Sequence, residues 1–389
     1  MSAENNRQRV QPSCFRPASW LRNRHLQTIF PSLPWSYTKF PALRREIIDL
    51  PDGDDIAVDW LEQREPPPAT APLLVILHGL EGSARSSYAR MLMTEAKSAG
   101  WHCCVLHSRD CGDYSNRLPR RYHAGETNDL RYFLTRTQES MQFGPIAAAG
   151  FSLGGNVLLK YLGEAADTTP LRAAAAVCVP LNLHLCADAL NSGFSKTYQV
   201  YLLNRMKRAL RRKFNPHTAA FNWPRAMAAK TFAEFDDVVT APLHGFKGME
   251  DYYDRCSSMH FIGAIERPTL VLNAVDDPFM TPEVIPEASD IADSVTVELS
   301  QHGGHVGFIS GGTPLRPQYY IPGRVRSFLE PFLARPGLYK KRPGSVRQGQ
   351  ALTHEPRPVS AAFSPALIRR LRRPSWTDAR GPGGQPREP

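Results

Sequence analysis

The sequence has 389 residues, 42% of them hydrophobic, and a formal net charge of +10. That length accommodates one large domain or two with a sizeable core, and the lack of any run of eighteen consecutive apolar residues argues against a membrane-spanning helix. The charge does not make the chain a nucleic-acid binder, because from Arg335 onward twelve Lys/Arg face three Asp/Glu, a net of +9 that leaves the rest close to neutral.

The first residues, Met1-Ser2-Ala3-Glu4-Asn5-Asn6-Arg7, are polar and show no apolar segment of the kind a secretory signal carries, so a cytoplasmic location is expected. The seven cysteines form no C-x-x-C pair, and Cys103, Cys104 and Cys178 fall inside apolar runs, as buried free thiols would. Residues 1–42 are Pro-rich, with aromatic anchors Trp20, Phe30, Trp35 and Tyr37, and are expected to form an irregular arm packed on a main domain at 43–334. Two alternating runs flank Pro51-Asp52-Gly53-Asp54-Asp55 and predict an antiparallel hairpin. Leu73-Leu74-Val75-Ile76-Leu77 is continuously apolar, as in a strand buried on both faces of a parallel sheet. A helix at 87–99, a strand from Trp101 to His107, a helix at about 126–140 and a strand at 146–150 follow. Further strands are expected at 173–179, 269–274 and 294–299. Strand alternating with helix at this spacing predicts an α/β fold with a mostly parallel central sheet covered by helices. Residues 183–262 break the alternation. The stretch from Tyr198 to Leu210 has apolar residues at helical spacing opposite a basic face, and predicts a helical lid inserted over the carboxyl ends of the strands. A basic amphipathic helix can also lie on a membrane surface. Residues 335–389, basic and rich in Pro and Gly, read as a solvated, disordered tail, whose alternative use is contact with a polyanion or an anionic membrane.

The chain is organised around Gly150-Phe151-Ser152-Leu153-Gly154-Gly155-Asn156, a G-x-S-x-G sequence between a predicted strand and a predicted helix. The glycines permit a sharp strand-to-helix turn that exposes a serine hydroxyl above the sheet edge, so Ser152 is the candidate nucleophile; helix capping is the plainer alternative. A serine nucleophile needs a base and the base an orienting carboxylate, which in this topology follow in the order Ser, Asp, His. His305, in Gly303-Gly304-His305-Val306-Gly307, is the candidate base, with His302 its competitor. Asp276 is the expected acid because it stands three residues beyond Asn273, with Asp277 in reserve. The oxyanion donors expected are the backbone N–H groups of Leu153 and of Leu80, in His78-Gly79-Leu80-Glu81-Gly82; His78 itself reads as a hydrogen-bonding residue beside them. No dinucleotide, phosphate-loop or metal-ligand motif is present, so no cofactor and no metal are implied.

Six runs, in order, resemble one branch of the α/β-hydrolases: Asn23-Arg24-His25-Leu26-Gln27-Thr28, His78-Gly79-Leu80-Glu81-Gly82-Ser83, Asn116-Arg117-Leu118-Pro119, Tyr122-His123-Ala124-Gly125-Glu126-Thr127, the serine turn, and Asp276-Asp277-Pro278-Phe279. The chain is similar over residues 18–334 to the YheT-like hydrolases, whose eukaryotic relatives include medium-chain acyltransferase/esterases and phospholipid-acting lipases. The resemblance implies a Ser152, Asp276, His305 triad and hydrolysis of a small-molecule ester. Short- to medium-chain acyl esters are the expected substrates. Acyl transfer to an alcohol is the alternative within the enzyme class, and an inactive scaffold recruited by its basic tail is the alternative outside it. One departure stands out: Arg109-Asp110-Cys111-Gly112-Asp113 replaces a loop that in the family carries smaller residues, and it is expected to border the pocket.

Overall fold

A computed structural model describes residues 9–33 and 40–334; the basic tail, Trp35 and Tyr37 lie outside the described residues. Nine strands form one sheet in the order β1-β9-β8-β7-β6-β4-β5-β3-β2. It opens with the hairpin β2 (Leu43–Asp49) and β3 (Asp55–Leu61), antiparallel and in register from Leu43 opposite Leu61 to Asp49 opposite Asp55. Strands β4 (Leu73–Leu77), β5 (His102–Leu106), β6 (Ile146–Phe151), β7 (Leu171–Val177), β8 (Thr269–Ala274) and β9 (Val295–Ser300) are parallel. Every residue of β4, β6 and β8 is buried, which is why these runs are mostly apolar and do not alternate; the polar exceptions in β8 are Thr269 and Asn273. The remaining strand, β1 (Val10–Pro12), comes from the N-terminal arm and pairs in parallel with β9. The arm is thus built into the sheet edge, not irregular as its Pro content suggests; a three-residue strand is too short to leave a periodic signature.

The core is the layer between the sheet and helices α2 (Ser87–Ser98) and α11 (Tyr320–Leu333), where Leu92, Met93, Val325 and Leu329 meet Leu74, Ile76, Ala147 and Leu270. Helices α3 (Asn128–Glu139) and α4 (Leu153–Ala165) follow β5 and β6. Alanines fill β6 and β7 at 147–149 and 173–176, so α4 can approach the sheet closely. A short arm helix, α1 (Arg24–Ile29), is capped by the Asn23 side chain, which accepts from the His25 and Leu26 amides.

Between β7 and β8 the chain is helical: α5 (Leu183–Ala189), α6 (Ser195–Lys213), α7 (Trp223–Ala228), α8 (Phe232–Phe235), a π-helical turn at Asp236–Thr240, α9 (Ala241–His244) and α10 (Met249–Cys256). Leu203, Met206, Leu210, Phe221, Phe232 and Phe235 give these helices a core of their own. Beyond β9, β10 (Ile309–Thr313) and β11 (Arg316–Tyr319) make a separate small hairpin. All seven cysteines are free, and all but Cys14 are buried. Among the described residues no helix is long and apolar enough to cross a membrane.

Candidate active site

Ser152 sits between β6 and α4 with φ of 51° and ψ of −120°, a backbone conformation costly for any residue but glycine. The turn is held from both sides: the Ser152 amide donates to the Val177 carbonyl at 2.9 Å, and the Ser152 carbonyl accepts from the Gly155 and Asn156 amides. Its glycines are required by contact. A Cβ on Gly150 would lie 2.5 Å from the Gly154 carbonyl oxygen, and one on Gly154 would lie 2.4 Å from the His78 carbonyl oxygen. The Asn156 amide nitrogen donates to the Ala124 and Cys256 carbonyls while its oxygen accepts from the Ser258 amide, so the last residue of the motif ties α4 to the end of the helical insertion.

His305 Nε2 lies 3.0 Å from Ser152 Oγ, and His305 Nδ1 lies 2.8 Å from Asp277 Oδ2. A carboxylate only accepts, so Nδ1 carries the proton and Nε2 presents its lone pair to the serine hydroxyl. The imidazole stacks on Phe279 with ring centroids 4.0 Å apart and planes 3° from parallel. Such a series can take the serine proton at Nε2 while the carboxylate stabilises the imidazolium formed.

The acid that reaches His305 is Asp277, not the expected Asp276. The β8–β9 ladder continues one residue past β8 through the Val275 amide to the Ser300 carbonyl, so the turn begins at Asp276 and the two side chains diverge. Asp276 Oδ1 accepts from the Gly304 amide at 3.0 Å, and its other oxygen lies 3.4 Å from His302 Nδ1; burial raises its pKa. Asp277 is 1% exposed and also accepts from the Phe279 amide at 2.8 Å. The competitor His302 is exposed and faces Asp276. Counting positions from Asn273 missed the alternation of neighbouring side chains where a strand ends.

The loop after β4 lies directly on the serine: a Cβ on Gly79 would be 3.2 Å from Ser152 Cβ. The Gly79 amide donates to the Tyr88 hydroxyl and the Glu81 amide to the Tyr122 hydroxyl, whereas the intervening Leu80 amide has no acceptor among the described residues. The Leu153 amide, at the first position of α4, has no acceptor within the helix. His78 is fixed by its partners: Nδ1 donates to the Gly79 carbonyl at 2.7 Å and Nε2 accepts from the Ser108 amide at 3.1 Å. Both roles require the neutral ring, and burial pushes its pKa down to about 3.

A cavity of about 130 Å³ opens from Ser152 and His305. Its walls are mostly apolar and come largely from the insertion, including Leu183, Leu190, Leu202, Met206, Phe232 and Val239. Arg109 and Asp110 do not line it, contrary to expectation. Arg109 is buried against Asp52, Asp54 and Asp129, and Asp110 stands behind the lining residue Arg121. Cys178, Asp277 and His305 bring one ligand atom each within 4.8 Å of one another, but burial raises the Cys178 thiol's pKa and its sulfur already accepts from the Val306 amide, a poor donor set for a cation.

One contribution was not assigned from the sequence. The arm motif at 23–28 clamps the histidine loop: Thr28 Oγ1 accepts from the His305 amide at 2.9 Å, and the buried Gln27 side chain bonds the Leu21 and Ile309 carbonyls and the Ile309 amide. The motif was visible as a signal, but nothing local said which distant loop it would meet.

A family model described as the alpha/beta hydrolase fold matches residues 72–312. The chain is 41% identical over 325 residues to YheT of Escherichia coli (strain K12), which bears an esterase name; the match covers 82% of this chain and 94% of that protein. It is 30% identical over 317 residues to Phospholipase ABHD3 of Mus musculus, covering 80% of this chain and 77% of the relative. It is 32% identical over 246 residues to Monoacylglycerol lipase of Saccharomyces cerevisiae, covering 61% and 55%. The chain belongs to the α/β-hydrolase family, on its YheT-like branch, and is a carboxylic ester hydrolase.

Proposed function

We propose that Ser152 is the nucleophile of this ester hydrolase, His305 its general base and Asp277 the carboxylate that orients the base. The observation that carries the reading is the unbroken series from Asp277 through His305 to the Ser152 hydroxyl, at 2.8 and 3.0 Å. Ser152 Oγ attacks the ester carbonyl as Nε2 takes its proton. The Leu80 and Leu153 amides hold the oxyanion, and His305 then protonates the departing alcohol. Water enters by the same route, giving its proton to His305 as it attacks the acyl-enzyme carbonyl and releases the acid. The apolar cavity supports short- to medium-chain acyl groups as the part of the substrate it encloses, and the helical insertion that walls it acts as a lid.

The test is turnover of p-nitrophenyl esters from acetate to decanoate by the wild type and by Ser152→Ala. The alanine variant is expected to lose about a thousandfold or more in kcat, and a fluorophosphonate to label Ser152. Turnover that survives in the alanine variant, with no labelling of Ser152, overturns the assignment.

A further inference from the structure

The turn that carries Leu80 is strained and held from outside itself. It closes with the Gly82 amide on the Gly79 carbonyl at 2.9 Å, and within it Glu81 adopts φ of 53°. Glycine would adopt that conformation freely; a glutamate there costs on the order of 1 kcal/mol and persists where surrounding contacts enforce it. The contacts are specific. The Tyr122 hydroxyl accepts from the Glu81 amide at 2.8 Å and donates to Glu81 Oε1 at 2.9 Å, and Arg121 donates to the same carboxylate oxygen at 2.6 Å. Burial raises the Tyr122 hydroxyl's pKa and keeps it a donor. The Glu81 carbonyl accepts from Arg205, which belongs to helix α6 of the insertion.

A second contact leads from the same helix to the same node. Arg212, two turns beyond Arg205 and so on the same face of α6, donates to the Asp110 carbonyl at 3.0 Å and carboxylate at 2.9 Å. Asp110 accepts from Arg121 Nε at 2.7 Å and itself has φ of 62°. Its carboxylate completes the chain Arg212, Asp110, Arg121, Glu81. Both peptide groups beside the Leu80 amide are therefore committed, one through the Gly79 amide to Tyr88 and the other through the Glu81 amide to Tyr122, and the next carbonyl along, that of Glu81, is held by Arg205 of α6.

We propose that Glu81, Arg121 and Arg205 are positioning residues that aim the Leu80 amide at the oxyanion, so that the oxyanion site is complete only while α6 is docked. This rests on the assignment of Leu80 in the proposed mechanism. A purely structural ion-pair chain would leave the left-handed glutamate without a reason, since glycine gives the same turn at no conformational cost.

The test uses the full chain as wild type, Arg205→Ala, Arg205→Lys and Glu81→Gln. Each is measured for kcat and KM on p-nitrophenyl butyrate and for the inhibition constant of a trifluoromethyl ketone, whose adduct with the serine places an oxyanion in the same site. Arg205→Ala is expected to lower kcat about 10- to 100-fold, with KM changed by less than about twofold and the inhibition constant weakened in step with kcat. Arg205→Lys is expected to recover most of the loss, because an ammonium also donates to the Glu81 carbonyl, and Glu81→Gln to follow Arg205→Ala. A folded Arg205→Ala protein with wild-type kcat and ketone inhibition overturns the inference while leaving Ser152-dependent hydrolysis intact. Wild type without Ser152-dependent turnover overturns the mechanism and this inference together. Because Arg205 contacts a loop carbonyl and not the core, its variants decide the matter even if Glu81→Gln does not fold.

Discussion

Asp276 and Asp277 are chemically identical and adjacent, and their environments give them different work. Asp277 accepts from His305 and the Phe279 amide, while Asp276 accepts from the Gly304 amide and faces the exposed His302. Asp277→Asn is expected to lower kcat/KM about a thousandfold or more, because an amide aimed at Nδ1 favours the tautomer that cannot accept the serine proton. Asp276→Asn removes only a loop contact and is expected to cost about tenfold or less; steady-state kinetics on one p-nitrophenyl ester separates the two. The reverse order of effects would restore Asp276 as the acid. A second residue, Asp236, lines the cavity with its carboxylate accepting from Thr240 and Tyr253, and burial pushes its pKa up to about 6. A carboxyl whose folded pKa is raised stabilises the fold below about pH 4, and this contribution is lost as the pH rises through about 6. Asp236→Asn is therefore expected to become more stable relative to wild type on going from pH 4 to pH 7, by about 3 kcal/mol at most. Denaturant titrations of both proteins at the two pH values measure the difference.

The arm helix α1 shows how a short element acts at a distance. Its six residues bury little, yet Thr28 and Gln27 meet the loop that presents His305 and the start of β10. Thr28→Val keeps the shape and removes the acceptor for the His305 amide, a loss of about 1 kcal/mol of stability. Its expected effect on kcat is larger than on KM, about tenfold, because a shift of the imidazole by a fraction of an ångström disturbs the transition state more than binding. Equal changes in kcat and melting behaviour with an unaltered His305 environment by NMR would reduce α1 to a structural brace. Helix α6 acts likewise, since its Arg205 and Arg212, on one face, meet the Glu81 carbonyl and the Asp110 loop.

At the scale of the whole molecule one buried cation joins three separate segments. Arg109 donates to Asp52, Asp54 and Asp129, joining the hairpin turn, the β5 loop and α3. Arg109→Met is expected to destabilise by about 3–5 kcal/mol, because three carboxylates are left facing one another with their shared cation gone; a melting curve or urea titration reads it. The imidazoles set the acid side of the stability profile. Burial lowers His78 to about 3 and His244 to about 4, and lowers His123 well below its ordinary value. A group with a depressed folded pKa contributes stability above its unfolded pKa, near 6.5, and loses it as the pH falls toward the folded value. Three such groups outweigh the opposite trend of Asp236, Asp276 and Glu126, so the melting temperature is expected to fall between pH 6.5 and pH 4, and His244→Gln to flatten the fall.

Local sequence determined the strands, because a parallel strand buried on both faces must be largely apolar, and β4, β6 and β8 read as such. It determined Ser152 as the candidate at the strand-to-helix turn, because Gly150 and Gly154 are demanded by contacts a few residues away. His305 was legible from its glycine-flanked loop and its place after the last parallel strand. What the sequence left open depends on direction in space. Whether Asp276 or Asp277 meets His305 is decided by where the β8–β9 ladder stops. The arm's strand β1 exists only because β9 offers an edge, and the contacts of Thr28, Glu81, Arg205 and Asp110 join them to partners tens to hundreds of residues away. Pattern records which face of an element is apolar; only packing fixes where a single polar atom points.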